Sequence, residues 1–249
     1  MRAIAGYTLA EAGGVLRIAL LFSCLGYGLS IFMQQVAVTE SHQIQAGTLA
    51  LVNRLGSVFI LVSFVLSGMI RDAQDKSLEF FLAMPISRTG YFFGRLLGYA
   101  AVCLLIAALA ALPLFFRNSG ETALLWSASL FMELILICSV CLFFSITLTQ
   151  LPAALAAVAG FYLLARSMGT LLLLMNGPLA GQGRLQKAAD AVFYFIGLLL
   201  PRLDEYTQSA WLVYPSPHWS QLLPIILQTV IYSGLMCAAA LFDLHRREL

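Results

Sequence analysis

Six long apolar stretches dominate the sequence, and each is close to the length of about 20 residues that an α-helix needs to cross a membrane. They cover residues 15–33, 48–70, 91–116, 122–146, 151–175 and 222–241. Only 10% of the 249 residues are charged, whereas about 25% are charged in soluble domains. We therefore predict an all-α membrane protein with one transmembrane domain, residues 1–249. This composition excludes a soluble enzyme, a disordered protein, a disulfide scaffold and a coiled coil.

The basic residues favour one orientation of these spans. Six spans place both termini on the same side, and the segments on that side carry Arg2, Arg17, Arg71, Lys76, Arg88, Arg95, Arg246 and Arg247. The opposite side carries Arg54, Arg117, Arg184, Lys187 and Arg202. Because basic loops stay in the cytoplasm, we expect a multi-pass protein of the cytoplasmic (inner) membrane with both termini inside.

Two segments outside the spans are also apolar in part. Residues 1–14 are mildly amphipathic, which predicts either a helix in the cytoplasmic membrane interface or a frayed extension of the first span. Residues 176–219 are too long for a plain connector. Their apolar run is too short to span, and four aromatic residues follow it. We interpret this region as an extracytoplasmic re-entrant hairpin, the alternative being a lid that only seals the bundle.

Two ionisable residues fall deep inside spans: Glu133 in the fourth and Arg166 in the fifth. Since these spans run antiparallel through a short turn, both residues lie at nearly the same depth. We predict an intramembrane ion pair, because an isolated charge there is costly. The pair either fixes the register of two helices or lines a substrate path.

The fifth span also carries small residues on one face. They are Ala153, Ala156, Ala157 and Gly160. Small residues allow helices to approach closely, and the sequence leaves open whether this face packs inside the bundle or against another subunit.

No catalytic, cofactor-binding or metal-binding residue is predicted. Neither lysine lies in the Gly-Lys-Ser/Thr sequence of a phosphate-binding P-loop, and the Gly-x-Ser-x-Gly and His-Glu-x-x-His motifs are absent. Cys138 and Cys141 have metal-ligand spacing, but one pair supplies two of the four ligands that structural zinc needs. A net charge of +2 gives no footprint for nucleic acid. We expect a chain that is not an enzyme.

The most informative segment is 71–95, which holds seven of the 26 charged residues. Residues 71–90 are predicted to form a cytoplasmic loop with a short amphipathic helix. Leu78, Phe81 and Leu82 share one face of this helix, and Pro85 ends it. Apolar side chains exposed on such a helix need a partner or a membrane to cover them.

The same segment carries a sequence pattern that is found in a known family. The pattern is Leu78-Glu79-Phe80-Phe81-Leu82-Ala83-Met84-Pro85-Ile86-Ser87-Arg88. Together with the six-span layout, these residues resemble the membrane (permease) subunits of type-2 ABC exporters. The resemblance implies that 71–90 contains a coupling helix seated in a groove of an ATPase. Its contact residues would be Leu78, Glu79, Phe81, Leu82, Pro85 and Arg88. Arg95 stands where the family pattern leads us to expect lysine.

The resemblance also implies partners. Two permease subunits, identical or nearly so, would form the translocation path, and two separate ATPase subunits would bind ATP and magnesium. The competing interpretations are a nucleotide-independent secondary transporter or channel, and a membrane assembly protein. Drugs, lipid-linked glycans, peptides and enzyme-maturation factors all fit as cargo.

Overall fold

The fold of this chain is a bundle of long helices. The computed structural model describes residues 2–36, 41–74, 88–116, 120–148, 150–175, 197, 200–214 and 219–246. Within these ranges all regular secondary structure is helical, and six helices are long and apolar enough to cross a membrane. The prediction of an all-α chain is thereby confirmed, and the six long apolar helices fit the predicted multi-pass membrane protein.

The elements follow the predicted spans closely. The long helices are α2 (Gly13–Val36), α3 (Ser41–Gln74), α4 (Arg88–Phe115), α5 (Gly120–Thr147), α6 (Leu151–Met175) and α8 (Leu222–Arg246). The shorter elements are α1 (Arg2–Glu11), α7 (Ala210–Val213) and two 3₁₀ turns, Leu203–Glu205 and Trp219–Gln221. Each helix is at least as long as the apolar stretch that predicted it. Helix α4 begins three residues before its stretch and ends one residue before the end of it.

Helix α5 is the centre of the bundle. Its buried residues lie on all sides of the helix, and it contacts α3, α4, α6 and α8. A helix that is apolar around its whole circumference is expected in such a position. The outer helices instead expose large apolar side chains, among them Leu21, Phe59 and Leu223. This exposed surface suits the acyl chains of a bilayer.

Close contacts show that α2, α3 and α4 alternate in direction. Between α2 and α3, Gly26 lies against Val52 while Gly56 lies against Phe22. Between α3 and α4, Asp72 pairs with Arg95. The C-terminal end of α3 and the N-terminal end of α4 therefore meet, and α1 packs there as well. We call this end of the bundle the near end and the opposite end the far end.

Pro113 lies inside α4, where it removes one backbone donor. The carbonyl it leaves without its usual partner is that of Leu109, four residues earlier. Ser23 of α2 donates to this oxygen over 3.4 Å. A hydroxyl from a neighbouring helix thus satisfies a backbone group that lipid could not.

Helix α1 is a helix of its own, because a turn at Ala12 separates it from α2. Its Ile4 and Thr8 are buried against Gly94 and Gly98 of α4. A Cβ added at Gly98 would come within 2.7 Å of the Thr8 Cβ. Glycines spaced by four residues therefore let α1 dock closely onto α4.

Candidate functional site

The first polar site lies in the middle of the bundle. Arg166 Nη1 is 3.6 Å from Glu133 Oε1, and the Glu133 side chain is 0% exposed while that of Arg166 is 20% exposed. Glu133 is at the middle of the 28-residue helix α5. The structure thus brings together the two ionisable residues that the sequence placed at matched depth.

Two hydroxyl groups complete the surroundings of the Glu133 carboxylate. The Tyr162 hydroxyl donates to Oε1 over 3.0 Å, and the Thr207 hydroxyl donates to Oε2 over 2.8 Å. Each carboxylate oxygen therefore accepts a hydrogen bond in addition to the attraction of Arg166. Charge-assisted bonds of this kind are stronger than those between neutral groups.

Thr207 belongs to an irregular segment that reaches this depth from the connection between α6 and α8. We call residues 203–207 the strap. Arg166 Nη1 donates to the Leu203 carbonyl and, over 3.1 Å, to the Tyr206 carbonyl. The Thr207 amide donates to Ser129 Oγ over 3.0 Å. Non-helical backbone at the middle of a membrane protein requires such partners.

Tyr206 anchors the strap to α8. Its hydroxyl lies 2.9 Å from Thr229 Oγ1 and 3.2 Å from the Ile225 carbonyl oxygen. A tyrosine phenol is neutral at physiological pH, so Tyr206 keeps its proton for these bonds.

Two further charged residues surround the same site. Arg54 of α3 and Asp204 of the strap are close enough to Arg166 to act on it electrostatically. Asp204 also contacts α6 so closely that a Cβ added at Gly169 would lie 2.0 Å from its Oδ2. With Glu133, the site holds two basic and two acidic residues, so its formal charge is zero.

The second polar site lies at the near end and centres on Arg95 of α4, which is 1% exposed. Its guanidinium pairs with Asp72 of α3 and lies 3.7 Å from Glu11 Oε2 of α1. It also donates to Thr8 Oγ1 over 3.1 Å. One buried arginine thus joins three helices.

Other residues complete this near-end cluster. Glu11 pairs with Arg71, and the Tyr91 hydroxyl donates to Asp72 Oδ2 over 3.3 Å. The Arg95 guanidinium stacks 5.4 Å from the centroid of the Tyr7 ring, a favourable cation–π distance. Two acids and two bases again balance, and the two buried members, Arg95 and Asp72, are paired with each other.

The predicted coupling residues Leu78, Glu79, Phe81, Leu82 and Pro85 lie outside the described residues. Arg88 begins α4, and its side chain is also outside the described part. Most of the predicted re-entrant region, 176–219, falls outside it too, although 200–214 is described. Within its described part, both the strap and α7 contact α5 at the centre of the bundle.

Three of the five cysteines are buried in the bundle, whereas Cys24 is exposed and Cys237 is half-buried. Cys138 and Cys141 are buried in α5 as free thiols, and Cys103 of α4 is a third buried free thiol. Among the described residues, no three His, Cys, Asp or Glu side chains are placed to hold a metal ion.

Sequence reasoning found Glu133 and Arg166 but missed the roles of Thr207 and Arg95. For Thr207 the sequence offers no local signal. For Arg95, a signal was present: an arginine inside an apolar span needs a counter-ion, and Asp72 ends the neighbouring span. No protein-family model matches the chain, and no curated protein matches it at a significant level of similarity.

Proposed function

We propose that the chain is the permease subunit of an ATP-driven exporter of the type-2 ABC class. In this proposal residues 71–90 couple it to separate ATPase subunits on the cytoplasmic side. The near end of the bundle is then cytoplasmic and the far end extracytoplasmic. The motif at residues 78–88 and the six-helix layout support the proposal.

The observation that carries the proposal is the buried pair between Asp72 and Arg95. These residues flank the segment that resembles a coupling helix, and Arg95 also contacts Glu11 of α1. A segment that transmits force between subunits needs flanks that stay fixed relative to the helix bundle. Here its two flanks are joined to each other and to a third helix.

In the proposed mechanism, ATP closes the ATPase pair and draws two coupling helices together, so that the membrane halves rock and cargo moves outward. Switching a two-state equilibrium almost completely requires about 5.5 kcal/mol of differential binding. The partner ATPases would supply it by binding ATP and magnesium.

A second copy of this chain is proposed to cover the outer face of α6. Ala153 and Ala156 are exposed on this face, and a Cβ added at Gly160 would meet no atom within 4 Å among the described residues. Small residues on an outward helix face allow a second helix to approach closely, so this face suits a protein neighbour.

The coupling role is tested by purifying the full chain from its native membranes. An ATPase with a P-loop, encoded by a neighbouring reading frame, should co-purify and be lost on Glu79→Lys. Glu121→Lys is the matched control, because it makes the same charge reversal at the exposed first turn of α5.

Two outcomes contradict the coupling role. One is an ATPase that stays bound to the Glu79→Lys variant. The other is a purified chain that moves cargo across vesicles without nucleotide, which would identify a secondary transporter or channel. Binding of neither ATPase nor cargo would favour a membrane assembly protein.

The dimer is tested by cysteine cross-linking in membranes, in a variant whose Cys24 and Cys237 are replaced by serine. Ala156→Cys should cross-link two copies of the chain. Val230→Cys, on the exposed surface of α8, should not. Equal cross-linking at both positions would reject the α6 interface.

A further inference from the structure

The strap contains a strained residue. Thr207 has a φ of +44°, a left-handed conformation that is a genuine outlier for a β-branched residue. Strain of this kind persists only where surrounding contacts hold it, and it is concentrated at switch regions and ligand clamps. The contacts that hold Thr207 therefore determine whether its strained conformation persists.

Those contacts run from the strap to two helices. The Thr207 amide and hydroxyl bind Ser129 and Glu133 of α5, while Arg166 of α6 binds two strap carbonyls. The strained residue itself thus makes two of the bonds that fix the strap. Losing them would release the strain at the same time.

The site does not depend on the strap for all its partners. Glu133 would keep Arg166, 3.6 Å away, and the Tyr162 hydroxyl, 3.0 Å away. An undocked strap would therefore leave the Glu133 carboxylate paired. An isolated buried charge, which is costly, would not arise. The carboxylate is therefore paired in either arrangement, whereas undocking also breaks the bonds of Tyr206 to α8.

We propose that the strap is a latch with two positions, docked on Glu133 and Arg166 as in the structure, and undocked. The Glu133–Arg166 pair is then the docking site of the strap as well as a helix–helix contact. Undocking opens a polar patch at mid-depth beneath the connection from α6 to α8. The latch is a property of this chain alone and does not rest on the proposed ATPase partner.

Amide hydrogen exchange of the purified full chain in lipid nanodiscs tests the latch. Thr207→Val removes the hydroxyl donor and keeps the side-chain shape and the backbone restriction. Peptides covering residues 203–214 should then exchange about tenfold faster, the effect of losing one hydrogen bond to a charged group. Peptides from α5 should be unchanged. Thr207→Ser keeps the hydroxyl and should exchange like the unmodified protein.

Ser129→Ala provides a second route to the same state, because it removes the acceptor of the Thr207 amide without disturbing a helical position. It should also accelerate exchange in the strap alone. Thr48→Val is the control, since that hydroxyl bonds only to the carbonyl of Ile44 in its own helix among its described contacts. Unchanged strap exchange in Thr207→Val or Ser129→Ala would overturn the latch. So would equal acceleration in the strap and α5, because the strap would then open only with the bundle.

Discussion

The guanidinium of Arg95 and the carboxylate of Asp72 form a buried ion pair that joins the start of α4 to the end of α3. The pair lies beneath α1, whose Thr8 and Glu11 also contact Arg95. Three helices therefore meet at one charged group, and the stability of the near end should depend on it.

Arg95→Met should destabilise the protein by about 3–5 kcal/mol, because it leaves the buried Asp72 carboxylate without its main counter-charge. Thermal unfolding in detergent measures the loss. Arg95→Lys should cost less, since it keeps the charge but loses the forked geometry that reaches several partners.

The control is Arg202→Met. Arg202 pairs with Glu205 over 3.0 Å, but its side chain is 53% exposed. Breaking an exposed pair costs about 0–1 kcal/mol. Equal losses for the two arginines would contradict a structural role for the near-end cluster.

The Glu133–Arg166 pair should show strong energetic coupling. Glu133→Gln and Arg166→Gln each leave one uncompensated charge at mid-depth, where the cost is about 2.5–3.5 kcal/mol on insertion scales. The double variant leaves none and should be more stable than the sum of the single losses predicts. A double-mutant cycle on unfolding free energy should give a coupling of about 0.5–3 kcal/mol. Additive losses would mean that the two charges act independently.

Gly98→Ala should detach α1 from α4, because the new Cβ would lie 2.7 Å from the Thr8 Cβ. Faster amide exchange in residues 2–11 and a lower melting temperature are expected. Gly28→Ala is the matched change in α2, where a Cβ meets no atom within 4 Å among the described residues. It should stabilise by about 0.5–1 kcal/mol, the gain from replacing glycine inside a helix. Normal protection of α1 in Gly98→Ala would show that the docking is not close.

Asn53 offers a comparison of polar and apolar side chains in the bundle. Its Nδ2 donates to the Ala110 carbonyl over 3.2 Å, while its buried Oδ1 makes no hydrogen bond with the described residues. Asn53→Leu should therefore change the unfolding free energy by no more than about 1–2 kcal/mol, since membrane hydrogen bonds average about 0.6 kcal/mol. Asn53→Asp should cost about 2.5–3.5 kcal/mol, because it places a charge inside the bundle. Similar unfolding midpoints for these two variants would contradict this account.

The spans could be predicted because length and hydropathy are local properties of the sequence, and lipid imposes them directly. The Glu133–Arg166 contact was predictable for a related reason, since a short turn between antiparallel helices fixes relative depth. The pattern could not place Thr207, because the strap reaches α5 through long-range contacts and an unusual backbone angle. It also could not show that α1 covers Arg95, since the docking depends on glycines in a distant helix.

The Asp72–Arg95 pair closes the chain between these two residues into a ring held by electrostatics. Any segment between them must begin and end at the same two points in space, because Asp72 and Arg95 hold its flanks together. A chimaera in which residues 75–87 are replaced by the corresponding segment of another protein should keep its helix bundle if it retains Asp72 and Arg95. Changes in the intervening segment can then accumulate without redesign of the helices on either side of it.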